Sequence, residues 1–255
     1  MLFCQTMDVN IFDEPQPNGD VVIKADNHEF FHVSVELKLD LKGVKTSHKS
    51  SDILVVQPRT EGQILVTLSP IPGKSWSYRS SFKAHFGNVN LTQYDSSFLY
   101  ELPFEPRTQE IVSQGYFGQL SHQNEYAIDF DMDSGTAVHA ARGGQVVQVV
   151  DIHNKSCPDA SCTQYNNYVL VEHDDGSYAD YAHLRKNGAV VNPGQTIEQG
   201  ELIGYSGNTG WTTGPHLHFS VFIPSINKRK SIPVLFNIGN GQGAQLEEGK
   251  MYQRN

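Results

Sequence analysis

From Phe31 to Leu41 apolar and polar residues alternate without a slip. Phe31, Val33, Val35, Leu37, Leu39 and Leu41 fall on one face, and His32, Ser34, Glu36, Lys38 and Asp40 on the other. Side chains of a strand point to its two faces in turn, so a run of period two reads as a half-buried antiparallel strand. Ile53 to Val56, Ile64 to Leu68 and the alternating WSYRSSFKAHF of 76–86 add further strands, separated by turn-rich pieces such as SPIPGKS. The three-four periodicity of an amphipathic helix is missing from the first 100 residues. Residues 21–105 therefore read as a small β-sandwich-like domain behind an N-terminal tail of residues 1–20.

The pattern changes after YELPFEPRTQE, where Pro103 and Pro106 interrupt any regular element and mark an expected boundary. Beyond residue 111 short apolar runs (Gly144 to Val150, Tyr168 to His173, Ser177 to His183, Leu202 to Tyr205, Leu217 to Phe222) alternate with turns rich in Gly and Asn. HDDGSY reads as a hairpin, because Asp175-Gly176 suits left-handed turn conformations. The expectation is a mainly β chain: an antiparallel-sheet domain at 111–238 preceded by the sandwich-like domain, with 239–255 as a loose tail.

Composition narrows the function. With 19 basic against 28 acidic residues the formal charge is −9, and no basic run is denser than Lys228-Arg229-Lys230. A nucleic-acid binder needs cations to displace counterions from phosphates, so that class is set aside. No stretch approaches the roughly 18 consecutive apolar residues of a membrane-crossing helix. MLFCQTMDVN lacks the basic start and apolar length of an intact signal peptide. Of three cysteines, Cys157 and Cys162 bracket the loop KSCPDASC and suit a disulfide, which implies an oxidising compartment; Cys4 is left over near the terminus.

Several stretches compete as sites. HEFFH at 28–32 matches the His-Glu-x-x-His zinc pattern, which needs a helix to bring both histidines to one face; here strand alternation begins at once and no third ligand follows at a suitable spacing. GNTGWTTG offers the glycines of a phosphate cradle, yet no lysine and no helix follow, so it reads as a tight loop before HLHF. Three other pieces belong together: SHQNEYAIDFDMDSGTAVHAARGGQVV at 121–147, DYAHL at 180–184 and TGPHLHFSV at 213–221. Each sets a histidine or aspartate beside a β run, and His216 and His218, two apart on a strand, share one face. Converging His and carboxylate ligands suit zinc.

Over roughly 111–236, including SIPVLF at 231–236, the chain resembles the lysostaphin-type zinc endopeptidases, the LytM-like peptidoglycan hydrolases. The resemblance implies one zinc per chain held by His122, Asp129 and His218, with His183 and His216 flanking the active water, one as base and the other as oxyanion donor, in either order. The six residues between His122 and Asp129 exceed the spacing in many members but match a subgroup carrying YAIDF. Tyr116, six residues before His122, reads either as an oxyanion stabiliser on the pattern of some relatives or as a packed or exposed aromatic of QGYFG. His139 and His173 match no functional position and read as structural. The implied activity is hydrolysis of peptide bonds in the bacterial cell wall, outside the cytoplasm, with a peptidoglycan peptide as substrate. The alternative is a non-catalytic LytM-like module that activates a partner hydrolase; such modules typically lack several ligands, whereas all are present here.

Overall fold

The computed structural model describes residues 7–49, 52–226, 228–239 and 241–255; Cys4 lies outside them. The chain divides into two compact units: residues 93–223 with 229–255, and the N-terminal residues to 92 with 224–228.

The N-terminal unit holds two antiparallel sheets. One orders the strands Val9–Pro15, Val21–Asn27, Thr60–Pro70 and Val44–Thr46; the other places Val33–Lys42 between Ile53–Val56 and Ser77–Phe86. The alternating run behaves as its pattern dictates, with Phe31, Val33, Val35 and Leu37 buried, while Leu39 and Leu41 are only half-buried. The expected tail over 1–20 is corrected: Val9–Pro15 pairs with Val21–Asn27 along its whole length. Its turn carries Asn18-Gly19, with Gly19 at φ +87°, where a side chain would be strained.

The second unit is built on an antiparallel sheet. Its strands run in the order Thr196–Ile197, Gly144–Val150, Tyr168–Glu172, Tyr178–Ala182, Leu217–Ile223, Ala127–Asp131, Gln109–Gln114 and Met251–Gln253, and Lys230–Ser231 pairs with Leu217–Ile223. HDDGSY makes the expected hairpin between Tyr168–Glu172 and Tyr178–Ala182, with Gly176 at φ +78°. Two boundaries move. The segment from Gln93, expected to be domain edge and linker, belongs to this unit: Leu99–Tyr100 pairs in parallel with Leu235–Asn237, and Leu102 and Phe104 are fully buried. Its prolines break the ladder, but the apolar residues beside them are drawn into the core. The expected loose tail at 239–255 also closes on the unit, since Met251–Gln253 pairs with Gln109–Gln114 and Arg254 Nη1 donates to the Phe104 carbonyl at 2.6 Å.

Beneath the sheet lies an aromatic core. Phe219 packs against Tyr181 and Phe236 at ring separations of 5.2 and 5.7 Å, and Phe104 meets Phe130 at 5.7 Å. Phe219 is one residue from His218, so the ring that anchors the strand from below fixes the histidine above it; truncating such a ring costs about 3–5 kcal/mol. Among the described residues no helix is long and apolar enough to cross a membrane.

Candidate metal centre

Asp129 and His218 face each other across the sheet. Ala127–Asp131 is registered with Asp129 opposite His218, and Tyr178–Ala182 with Ala182 opposite the same histidine. Leu217, Phe219 and Val221 point into the core, so His218 rises on the opposite face. His122 arrives from a turn in which its carbonyl accepts the Glu125 N–H. Its ring Nδ1 lies 3.1 Å from the Gly115 carbonyl. A carbonyl can only accept, so the proton sits on Nδ1 and Nε2 presents a lone pair.

That lone pair lies 3.2 Å from His218 Nδ1 and 3.1 Å from Asp129 Oδ1, and those two atoms are 2.9 Å apart. Ligands about 2.0–2.2 Å from a tetrahedral zinc are separated by about 3.3–3.5 Å, so the three atoms stand almost as neighbouring ligands would. Acceptors this close need a proton or a cation among them, and two imidazoles with one carboxylate make a donor set suited to zinc. Electrostatics agree. Burial works against a charge on Asp129, yet the His122 and His218 rings beside it hold its carboxyl well below the usual range. Burial likewise opposes a charge on His218, but Asp129 raises it above its ordinary value. A proton among these atoms competes with a cation for the same lone pairs, so acid would weaken metal binding.

His183 and His216 stand beside this cluster, their rings 4.6 Å apart. His183 follows directly on Tyr178–Ala182 in a left-handed conformation, φ 65°, which few residues adopt. Its N–H donates to Asn166 Oδ1 at 3.0 Å and its ring Nδ1 to the Thr209 carbonyl at 2.7 Å. His216 Nδ1 donates to the Gly214 carbonyl at 2.9 Å, and its Nε2 lies 3.8 Å from Asp129 Oδ1. Both rings therefore offer Nε2 for chemistry. Burial, then the neighbouring His216 and His218, push the His183 imidazole down to about 3.

The glycines of GNTGWTTG serve close packing. A Cβ on Gly207 would meet the Arg185 backbone nitrogen at 2.3 Å, and Gly210 has φ +83° with Asn166 against it. Cys157 and Cys162 are disulfide-bonded with Cα atoms 5.7 Å apart. The bridged loop clamps this one: Gly210 N–H donates to the Lys155 carbonyl and Thr212 N–H to that of Cys157.

The sequence reading missed the residues that shape the His183 turn. Asn167 is fully buried; its amide donates to the His153 and Leu184 carbonyls, and its Oδ1 accepts the His153 N–H. Thr209 Oγ1 donates to the Leu184 carbonyl at 2.7 Å. The two adjacent amides in YNNY, at the start of a strand, were the available signal. The Tyr116 hydroxyl is engaged by both the N–H and the carbonyl of Val234, and its ring packs on Tyr126, contacts that suit the packing reading. His139 and His173 each donate a ring N–H to a backbone carbonyl, of Gly200 and Gly143, at 2.8 Å. His28 and His32 flank a bend between two strands.

Residues 123–232 match Peptidase family M23, a span that takes in Asp129, His183, His216 and His218 and begins one residue after His122. The chain is 31% identical over 155 residues to the peptidoglycan DD-endopeptidase ShyA of Vibrio cholerae, covering 60% of this chain and 32% of that protein. It is 34% identical over 127 residues to the glycyl-glycine endopeptidase ALE-1 of Staphylococcus capitis, covering 48% of this chain and 32% of the relative. The matched region thus spans about a third of these relatives. Among solved structures, the catalytic domain of lysostaphin from Staphylococcus simulans aligns at a TM-score of 0.35 and 24% identity, over 55% of this chain and 88% of that one.

Proposed function

We propose that this chain, which carries a peptidase family M23 domain at residues 123–232, is a zinc-dependent endopeptidase that hydrolyses peptide bonds of bacterial peptidoglycan. The observation that carries the reading is the convergence of His122 Nε2, Asp129 Oδ1 and His218 Nδ1 to within 3.2 Å, with two further histidines presenting Nε2 beside them. The substrate class follows from the relatives, two of which are peptidoglycan or glycyl-glycine endopeptidases by name. An extracytoplasmic setting accords with the Cys157–Cys162 bridge.

His122, Asp129 and His218 would hold the zinc. When bound, the ion polarises a carbonyl and brings the pKa of a water from 15.7 to about 7, so that hydroxide is available near neutrality. The chain's own residues move the protons. With Nδ1 tied to the Thr209 carbonyl, His183 offers an Nε2 lone pair that would accept the proton of the attacking water. His216, whose Nε2 lies 3.8 Å from Asp129 Oδ1 and so faces the candidate metal site, would donate to the carbonyl oxygen as negative charge develops there. The departing amine would then take up the proton that His183 received from the water. Tying each Nδ1 to a carbonyl prevents the rings from turning away, which is the positioning such catalysis needs.

The test is digestion of purified peptidoglycan followed by mass analysis of the products, with and without a chelator. New peptide termini that vanish with chelator and return with zinc are expected. Zinc-loaded protein that yields no new termini would leave the chain a non-catalytic module.

A further inference from the structure

Gln114 ends the strand beside Asp129 and is buried, 4% exposed, with no part in the proton transfers above. Its amide is fully used. Oε1 accepts the backbone N–H groups of Leu120 at 3.0 Å and Ser121 at 3.1 Å. Nε2 lies 2.8 Å from Ser121 Oγ and 3.0 Å from Asp129 Oδ2. The orientation of the amide is forced: backbone N–H groups only donate, so the oxygen must face Leu120 and Ser121, and the NH2 end must face the carboxylate.

This places one side chain between two of the three candidate ligands. Asp129 turns Oδ1 toward His122 and His218, and the Gln114 amide satisfies the other oxygen. The same amide grips Leu120 and Ser121, the residues that lead into His122, whose own Nδ1 is held by Gly115 immediately after Gln114. The local backbone is built tightly around the contact. A Cβ on Gly118 would lie 2.4 Å from Gln114 Cγ, so the loop can close over the amide only with glycine there. A ligating carboxylate whose second oxygen is hydrogen-bonded is held to one rotamer and one binding oxygen, which is what outer partners of a metal site supply.

We propose that Gln114 is a positioning residue that presents Asp129 to the metal through Oδ1 alone and ties that carboxylate to the loop bearing His122. The proposal rests on the metal-site reading above. It predicts that Gln114 governs zinc affinity while touching neither substrate nor ion. Gln114→Glu separates its two jobs, because a carboxylate still accepts the Leu120 and Ser121 N–H groups but can no longer donate to Asp129. Gln114→Met removes both.

Zinc affinity of the full chain is measured by competition with a chromophoric chelator for wild type, Gln114→Glu, Gln114→Met, Ser121→Ala and His218→Ala. Both Gln114 variants should bind zinc about 10–100-fold more weakly, the range typical for loss of such a partner, and Ser121→Ala should stay near wild type. Affinity lost in the Met variant alone would mean that Gln114 merely holds the loop, and overturns the proposal. Wild-type affinity in both Gln114 variants, with loss in His218→Ala, overturns it too while leaving the metal site standing; retention in His218→Ala overturns the site itself. A readout independent of variant folding is the Gln114 side-chain amide in wild-type protein by NMR. One proton should be shifted downfield and slow to exchange, and Asp129→Asn should move it. Two free, rapidly exchanging protons would contradict the contact.

Discussion

Two histidine pairs in this molecule look alike on paper and differ in everything that matters. HEFFH at 28–32, in the N-terminal unit, has the more familiar metal spacing, yet its two histidines flank a bend, and the His28 ring lies 3.1 Å from Asp8 on an open surface. His216 and His218, in the second unit, share a strand face floored by an aromatic core, and other elements bring His122, Asp129 and His183 to them. Spacing sets which side chains could meet. Surroundings decide whether lone pairs converge, because in His122, His183 and His216 the useful nitrogen is aimed by a carbonyl that pins the other nitrogen of the same ring.

Asp129→Ala removes a ligand from a set of three, so peptide cleavage should fall at least about 10³-fold together with zinc content, as metal analysis beside cleavage rates would show. His183→Ala and His216→Ala should keep zinc bound and lower kcat by about 10²–10⁴-fold, since the ion is still held but a proton carrier is lost; equal loss of metal and activity would mean that these rings are ligands.

A buried histidine outside the site sharpens the contrast in another way. Burial pushes His173 down to about 4, so it is neutral in the folded protein where the unfolded chain would be protonated. A depressed histidine pKa gives stability that is whole above about pH 6.5 and falls as pH drops toward 4, because the unfolded state then binds the extra proton. Between pH 7 and pH 5 the loss from this one residue is about 2 kcal/mol. His173→Gln should flatten that slope in denaturant titrations at the two pH values, and an unchanged slope would show that the ring is not buried neutral. The smallest effect belongs to the decoy: His28→Ala should change stability by less than about 0.5 kcal/mol and leave cleavage unaltered.

Period-two alternation made the strands legible, because burial on one face must repeat every second residue. Phe31 to Leu37 and Leu217 to Val221 both behave so. Edges were less legible. YELPFEPRTQE carries two prolines and reads as a linker, yet Leu102 and Phe104 sit in the core, since proline removes a donor without preventing its neighbours from packing. GNGQGAQLEEGKMYQRN lacks an apolar run, and its Met251–Gln253 strand is held by pairing with Gln109–Gln114. At the site, the five residues named from motifs come together in the structure, whereas Asn166, Asn167 and Gln114 act through amide contacts to distant backbone, which leave no local pattern in a sequence.

The zinc site proposed here is His122, Asp129 and His218, and HEFFH is excluded from it. The most direct measurement is calorimetric titration of zinc into the metal-free chain, run on wild type, His218→Ala and His28→Ala. One tight zinc per chain is expected in wild type and in His28→Ala, with that site lost in His218→Ala. Tight binding that survives in His218→Ala, or that disappears in His28→Ala, would contradict the account.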